Sequence, residues 1–575
     1  MKTQNRLFAL LLVLTVFFMS CTSCSKEESD PVEQIADADN DGVVDTNDNC
    51  PNESGPASNN GCPEQEESEI VVTNGVTPDD FEQYAGDIGM VINTRNIAKK
   101  GYKPKEAVVT VNATSGDYSE TVALDEHSFL GQIKLSVADL TEAAVNELKE
   151  GVPVSITIND ENNNPIITQD ISAVIFSENA QPNELNVTDL EETPENRAIA
   201  LSENQPYYVQ VVNETGAPQA MAMKVNRNPA FDDILTRSSG VTWEGIDKEP
   251  DFIFNFIPIE DEINTYFIKL QEYGRFVGVS NDSEKLVKMF NFDDINDVLN
   301  ASTTEFYKFI IEKKSDGKYI FISKITGKSL KVIGGVGMAA DDEGNEAYWR
   351  IIANTLDWET SLLGIKYLSP MVGQPTTSFG ANSTLTNCGN GSLTQTIGSA
   401  EKATSVNTVG WEERFSLTGS VSTSVTATIG MEVEAGFFGN SATYNAELSS
   451  TVEASVSMTS ENSSFNETQE SVEEDIFFER TVTVPSGSAS LVYDVAQIFN
   501  DTRVQFVQRV RLRATESGVA VSGKALQSQL QFSKFNGVVT QVGPDFLDIS
   551  IKGTATLGKV LETKSTVEDV PSSCN

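Results

Sequence analysis

Histidine is almost missing from this 575-residue chain, with His127 the single example. That excludes Ser-His-Asp catalysis and His-ligated metal chemistry. Basic residues are scarce too: 40 Lys and Arg stand against 84 Asp and Glu, for a net charge of −44 and a pI near 4.3. A nucleic-acid binder needs a basic footprint, and none is present. The same acidic excess opposes attraction to anionic lipid, so docking on a membrane would need a receptor. No Gly-rich phosphate cradle occurs. Carboxylate pairs are abundant, but none stands in a cleft context. The chain reads as a non-enzyme, and its length calls for several domains.

What is present begins with a targeting segment. Lys2 and Arg6 precede an apolar core at Leu7–Met19, 13 residues and too short to span a bilayer comfortably. Met1–Ser20 reads as a signal peptide. Cys21 and Cys24 follow, a pairing that resembles the start of a bacterial lipoprotein, whose mature N-terminal Cys carries lipid. With Cys24 lipidated, residues 1–23 leave as the signal and Cys50, Cys62, Cys388 and Cys574 remain as an even set. With Cys21 lipidated, one thiol is left over. Cys24 is preferred, Cys21 is the alternative, and an ordinary secretory signal cut near Ser20 is a third reading. Lys26-Glu27-Glu28 resembles the acidic export tag of Bacteroidetes-type surface lipoproteins, which implies a bacterial outer-membrane location facing the medium, or release from it. Residues 24–36 are polar and acidic and read as a flexible tether.

Residues 37–63 hold a denser signal. Asp37, Asp39, Asp41, Asp45 and Asp48 are spaced 2, 2, 4 and 3 apart, with Gly42 after the third. Calcium takes several hard oxygen ligands, and a glycine lets the loop turn tightly around it. The Asp-x-Asp-x-Asp-Gly start is shared with EF-hands, but the later Glu and the flanking helices are missing. The trailing Asp-x-Cys-Pro resembles a thrombospondin type 3 repeat, which implies calcium at these five Asp residues. Cys50 and Cys62 bracket a short loop and are expected to pair, as an exported context permits. Cys388 and Cys574 could be bridged, closing a loop of about 190 residues and adding roughly 4–5 kcal/mol.

Residues 70–178 show short alternating runs, among them VVTVNATSG, GQIKLSV and VPVSITINDENNNPIITQDISAVIF. NDENNNP between two apolar runs is a hairpin loop, and Leu140–Lys149 is expected as one short helix. An immunoglobulin-like β-sandwich fits the length. His127 falls on a loop with no chemistry around it. Residues 202–355 carry a weak threefold repeat. Its anchors are Phe254-Asn255-Phe256-Ile257, Tyr307-Lys308-Phe309-Ile310 and Trp349-Arg350-Ile351-Ile352, spaced 53 and 42 apart. Three such units suggest a β-trefoil. The stretch resembles ricin-type or fascin-like trefoils, many of which bind sugars. The ricin-type sugar motif needs an Asp and a Gln-x-Trp. Here the third unit reads Ala-Tyr-Trp, so Trp349 alone is left as a ligand candidate.

The most regular pattern lies in residues 386–575. From Phe415 to Phe437 the odd positions are nearly all apolar, including Val421, Val425, Ile429 and Val433, while the even positions are only Ser, Thr, Glu and Gly. After a Gly-containing break at Phe438–Thr443, the even positions from Tyr444 to Met458 carry the apolar residues, including Val452 and Val456. Strict alternation means strands with one apolar and one polar face. The first arm would reach roughly 75 Å at about 3.3 Å per residue, whereas a membrane-crossing strand needs only about 9–11 residues. The bland alternative is one sheet of an ordinary sandwich. A Ser/Thr-rich lead-in at Gly391–Thr418, this hairpin and the later TVTVPSGS together resemble the aerolysin-like pore-forming proteins of the epsilon-toxin/mosquitocidal branch. That resemblance covers about Thr386–Gly558, under a third of the chain. It implies an insertion hairpin at 415–458 with Phe437 and Phe438 near the tip, tucked against a twisted sheet, which unrolls into a membrane barrel in a ring oligomer. A trefoil before such a module is an arrangement of haemolytic lectins, implying a surface receptor, glycan among the candidates, and a target membrane. The expected fold class is all-β and multidomain. The competing reading is a surface adhesin or carbohydrate-binding lipoprotein that forms no pore.

Overall fold

Every second side chain of Val152–Asn159 is fully buried, and so are Ala107, Val109 and Val111 on a neighbouring strand. Alternation of this kind gives a sheet one face for a core and one for water. The computed structural model describes residues 36–62, 70–75, 86–178, 183–186, 190–203, 205–227, 234–241, 249–280, 286–315, 317–333, 336–340, 348–353, 355–413, 417, 419–421, 425–435, 442–452 and 468–574. Across them the protein is all-β and multidomain. Residues 36–62 belong to a separate unit, an irregular loop with a single 3-10 turn at Ala57–Asn59.

The first strand, β1 (Ile70–Asn74), does not join the sandwich expected over 70–178. It pairs Ile70 with Asn387 and Asn74 with Ser383, on the edge of a sheet formed much later in the chain. The sandwich begins instead with β2 (Asp87–Asn93), followed by helix α1 (Arg95–Lys99), β3 (Glu106–Ala113), β4 (Gly116–Ala123), β5 (Leu130–Ser136), β6 (Val152–Asn159), β7 (Pro165–Val174), β8 (Ser177–Glu178) and β9 (Asn183–Asn186). One sheet pairs β5 with β2; the other runs β4-β3-β6-β7. Pairing of β2 with β5 and of β3 with β6 in two facing sheets is the Greek-key arrangement of an immunoglobulin-type sandwich. The edge of β2 that an opening strand would occupy is filled from the far end, by β8 antiparallel and β9 parallel. Ile88, Met90 and Ile92 meet Val109, Ile156 and Ile158 in the core.

Twelve strands follow: β10 (Tyr208–Val212), β11 (Pro218–Asn226), β12 (Ile234–Ser239), β13 (Phe254–Pro258), β14 (Thr265–Leu270), β15 (Arg275–Val279), β16 (Val287–Asn291), β17 (Lys308–Ser315), β18 (Lys318–Ser323), β19 (Ser329–Ile333), β20 (Val336–Ala340) and β21 (Trp349–Ile352). Six of them close a ring. β13 pairs β14, β14 pairs β17, β17 pairs β18, β18 pairs β21 and β21 pairs β10. The Tyr207–Phe254 bridge joins β10 to β13 and completes it. The remaining six strands form hairpins β11–β12, β15–β16 and β19–β20. A closed six-stranded barrel with three hairpins is a β-trefoil. The repeat anchors fall at its fourth, eighth and twelfth strands: Phe254, Phe256, Phe309, Trp349 and Ile351 are fully buried, as is Ile311 next to the second anchor, whose Tyr307 stands in a 3-10 turn before β17. Trp349 is therefore not a ligand residue. Its ring meets Phe321 edge-on and its indole N–H donates to the Leu330 carbonyl at 3.3 Å, so it fills the barrel.

The last module comprises β22 (Leu356–Tyr367), β23 (Thr376–Asn387), β24 (Leu393–Trp411), β25 (Ser420–Val421), β26 (Val425–Ala435), β27 (Ala442–Val452), β28 (Thr468–Val484), β29 (Ala489–Glu516), β30 (Val519–Ala520), β31 (Val538–Val542) and β32 (Leu547–Val570). Its sheet runs β1-β23-β29-β32-β24-β28, with β22 also on β29. At 28 residues β29 is long enough to carry β23 on one half and β22 on the other. The trefoil core continues into this sheet through Leu356, Trp358, Val510, Leu512, Leu547 and Ile549.

Candidate functional site

Three places answer to the residues singled out by pattern. In the acidic loop, Asp37, Asp39 and Asp41 bring carboxylate oxygens within 4.8 Å of one another. The turn that gathers them is made by their own side chains: Asp37 accepts from the Gly42 amide at 3.1 Å, and Asp41 from the Val43 and Gly55 amides at 2.8 Å each. One oxygen each of Asp37, Asp39 and Asp48 is buried without a hydrogen-bond donor. Buried acceptors are normally satisfied, so three orphaned carboxylate oxygens in one loop are what a hard cation would complete. Partial burial, and then the charges of Asp41, Asp48 and Asp37, raise the Asp39 carboxyl above its ordinary range. Asp45 lies outside the three-carboxylate cluster and instead accepts from the Ala38 amide at 2.8 Å. Cys50 and Cys62 are disulfide-bonded, as are Cys388 and Cys574. Cys21 and Cys24 lie outside the described residues.

The second place is the hairpin. β26 and β27 pair antiparallel without a slip, from Val425↔Val452 through Ile429↔Leu448 and Val433↔Tyr444 to Ala435↔Ala442. Directly paired residues share a face, so odd positions of the first arm share one with even positions of the second. That face takes Val425, Ala427, Ile429, Met431, Val433, Leu448 and Val452, with Ser450 opposite Ala427 its one serine; the other takes Thr426, Thr428, Glu432, Glu434, Glu447 and Ser449. A one-residue slip would have mixed the two sets. The expected start of the first arm, Phe415, lies outside the described residues, as do 422–424. Val421 belongs to β25, which pairs in parallel with β22. Phe437, Phe438 and Val456 lie outside the described residues.

The third place escaped sequence reasoning. Arg95, 1% exposed, puts all five of its N–H groups to use. Nε donates to Glu413 Oε1 at 2.9 Å and Nη2 to Glu413 Oε2; the rest reach the Ser128 carbonyl, the Ser550 hydroxyl and the Ser550 carbonyl. Lys99 Nζ stands 2.7 Å from the same carboxylate, and the Lys552 amide donates to it at 2.9 Å. Burial opposes the Glu413 charge, but Arg95 and Lys99 outweigh it and hold the carboxyl below its usual range. Nearby, Lys552 pairs with Glu184 of β9 and with Glu412 at 2.9 Å. α1 of the sandwich thus grips Glu413 just after β24, and β9 reaches Lys552 of β32 beside it. No local pattern marks this: Arg95 and Glu413 are 318 residues apart.

No protein-family model matches the chain, and no curated protein matches it. Among solved structures, the chain is similar to ThreeFoil, a designed threefold-symmetric protein, at 16% identity over 25% of this chain and 97% of that one, TM-score 0.20. It is also similar to the Polyporus squamosus lectin bound to a human-type influenza-binding epitope, at 11% identity over 28% and 52% of the two chains, TM-score 0.21. A non-toxic crystal protein of Bacillus thuringiensis matches at 10% identity over 37% and 85%, TM-score 0.23. None of these places the chain in a family.

Because Glu413 is held charged, its pairing is complete above the ordinary carboxylate range and is lost only as pH falls through the lowered value. Removing one partner leaves a buried charge uncompensated, at about 3–5 kcal/mol. Arg95→Met should lower the denaturant stability of the sandwich by that amount at pH 7, and adding Glu413→Leu should restore most of it. A loss below about 1 kcal/mol, the scale of a surface pair, would contradict this reading.

Proposed function

We propose that this chain is a surface-tethered β-pore-forming protein. The observation that carries the reading is the slip-free register of β26 and β27, which sorts the hairpin into one apolar and one hydroxyl- and carboxylate-bearing face. A lipid-spanning strand needs this alternation, and the 11 described residues of each arm reach the length required. In this reading the trefoil binds a surface receptor, expected to be a glycan, and the hairpins of several copies join into a barrel within a ring oligomer. A lipid on Cys24, or alternatively Cys21, anchors the protein at the outer face of a bacterial outer membrane, and cleavage in the tether is one route of release. Receptor binding supplies what the acidic surface withholds, since a net charge of −44 is repelled by anionic headgroups.

Calcium is the proposed ligand of the acidic loop, held by Asp37, Asp39, Asp41 and Asp48, with Asp45 shaping the turn. It would offset carboxylate repulsion and stiffen the stretch between anchor and body. The raised Asp39 carboxyl sets the sign of the pH dependence. Without metal, the loop loses stability as pH rises through the carboxylate range. Calcium restores it, and bound protons compete with calcium as pH falls. Calcium at pH 7 should protect residues 36–62 from protease, less so at pH 5 and not at all in Asp39→Ala/Asp41→Ala. Equal proteolysis of the wild type with and without calcium would remove the site.

The pore reading is tested on the paired faces. A lysine facing lipid at mid-membrane costs roughly 2–4 kcal/mol and recurs in every subunit. Ile429→Lys should therefore abolish conductance across planar bilayers. Thr428→Lys should preserve the pore and move its selectivity toward anions, because Glu432, Glu434 and Glu447 share the lumen face. Equal tolerance of both substitutions, or glycan binding without conductance on any membrane, would leave the adhesin reading in its place.

A further inference from the structure

Between β24 and the hairpin, the sequence pattern and the folded chain disagree. Apolar and polar residues alternate from Phe415 to Phe437, with Gly419 and Thr423 the odd positions that are not apolar, the pattern of one continuous strand. The described residues of that stretch do not form one. Leu417 is 1% exposed, in the core shared by the trefoil barrel and the long sheet. Gly419 has φ +108°, in the left-handed region, and a Cβ there would lie 2.1 Å from the Leu356 carbonyl oxygen. Ser420 and Val421 pair in parallel with Asp357 and Trp358 of β22. Within the described residues the hairpin ladder runs from Val425, and residues 422–424 before it lie outside them. Just upstream, Glu413 is held by Arg95 and Lys99 of the sandwich.

Each of these contacts bends or pins a segment whose residues alternate as if they were to be straight. A left-handed residue is foreign to a strand interior, where alanine in place of Gly419 would be at ease. We infer that Glu413, Leu417, Gly419, Ser420 and Val421 form a conformational switch. In this state they are bent and clamped, by the sandwich through α1 and by β22. In a second state they lie extended, so that β24 leads straight into the first hairpin arm. The sandwich is then a restraint on the hairpin, and a ligand or cleavage that draws α1 from Glu413 favours release. This rests on the pore reading and adds to it which part of the chain keeps the hairpin back.

Gly419→Ala tests the switch directly, because it strains the bent state and suits the extended one. In the full-length protein without membranes, amide hydrogen exchange across Val425–Ala435 and Ala442–Val452 should quicken at least tenfold. Exchange in the barrel strands β13, β17 and β21 should stay within twofold of wild type. Unchanged hairpin exchange in a folded variant overturns the inference, and so does equal loosening of the barrel, which would mark general destabilisation. If Gly419→Ala does not fold, Lys99→Met removes one of the two cations on Glu413 at a partly exposed position. Hairpin exchange should then rise severalfold, and an unchanged rate overturns the inference. Exchange needs no membrane, so a chain that never conducts would sink the pore reading while the switch is still judged on its own readout.

Discussion

Backbone hydrogen bonding along β29 is the constraint on which the rest of the structure depends. A strand of 28 residues must satisfy two rows of amides and carbonyls along its length. β32 takes one row from Ala489 to Leu512; β23 and then β22 divide the other. β22 follows directly from the last trefoil strand, so pairing it with β29 fixes where the barrel stands on the sheet. β1 extends the sheet beyond β23, and β24 and β28 extend it beyond β32. Among the described residues, no protein group partners the side-chain amides of Gln497 and Gln508, both completely buried.

Against this frame, the sandwich has two roles. It closes its own core, and it reaches the sheet through charged side chains as well as an apolar contact of Ala98 and Phe129 with Val538. Arg95 and Lys552, both almost completely buried, each bind carboxylates from another module or strand. A buried ion pair adds little net stability over an apolar contact but is strict about geometry. It therefore suits a junction that must hold one arrangement and can be lost as a unit. Placing that junction at Glu413 ties it to the one segment whose sequence and folded shape conflict.

How much of this was legible depended on range. The trefoil was readable because aromatic-x-apolar anchors recur locally, and Phe254, Phe309 and Trp349 all proved to be barrel residues. The same anchors misled in one respect, since Trp349 matched a fragment of a sugar motif while its ring was needed for packing. The hairpin's faces were readable from alternation, which the β26–β27 register follows except where Ala427 meets Ser450. The turn at Gly419 was not, because a glycine counts as a neutral position in a pattern. The departure of β1 from the sandwich and the Arg95–Glu413 clamp were invisible, as both join residues hundreds of positions apart. For the acidic loop, spacing named five Asp residues, and folding gathers Asp37, Asp39 and Asp41 while Asp45 serves the turn.

The central claim is that the hairpin's two faces meet two different solvents. Single cysteines placed in turn at 425 through 435, each carrying an environment-sensitive fluorophore, test it on receptor-bearing liposomes. The native cysteines of the described chain are already paired and do not interfere. The account predicts blue-shifted, lipid-quenchable emission at 425, 427, 429, 431, 433 and 435, and water-like emission at the positions between. Emission that stays as in the free protein at every position, or that shifts without the period of two, would contradict it.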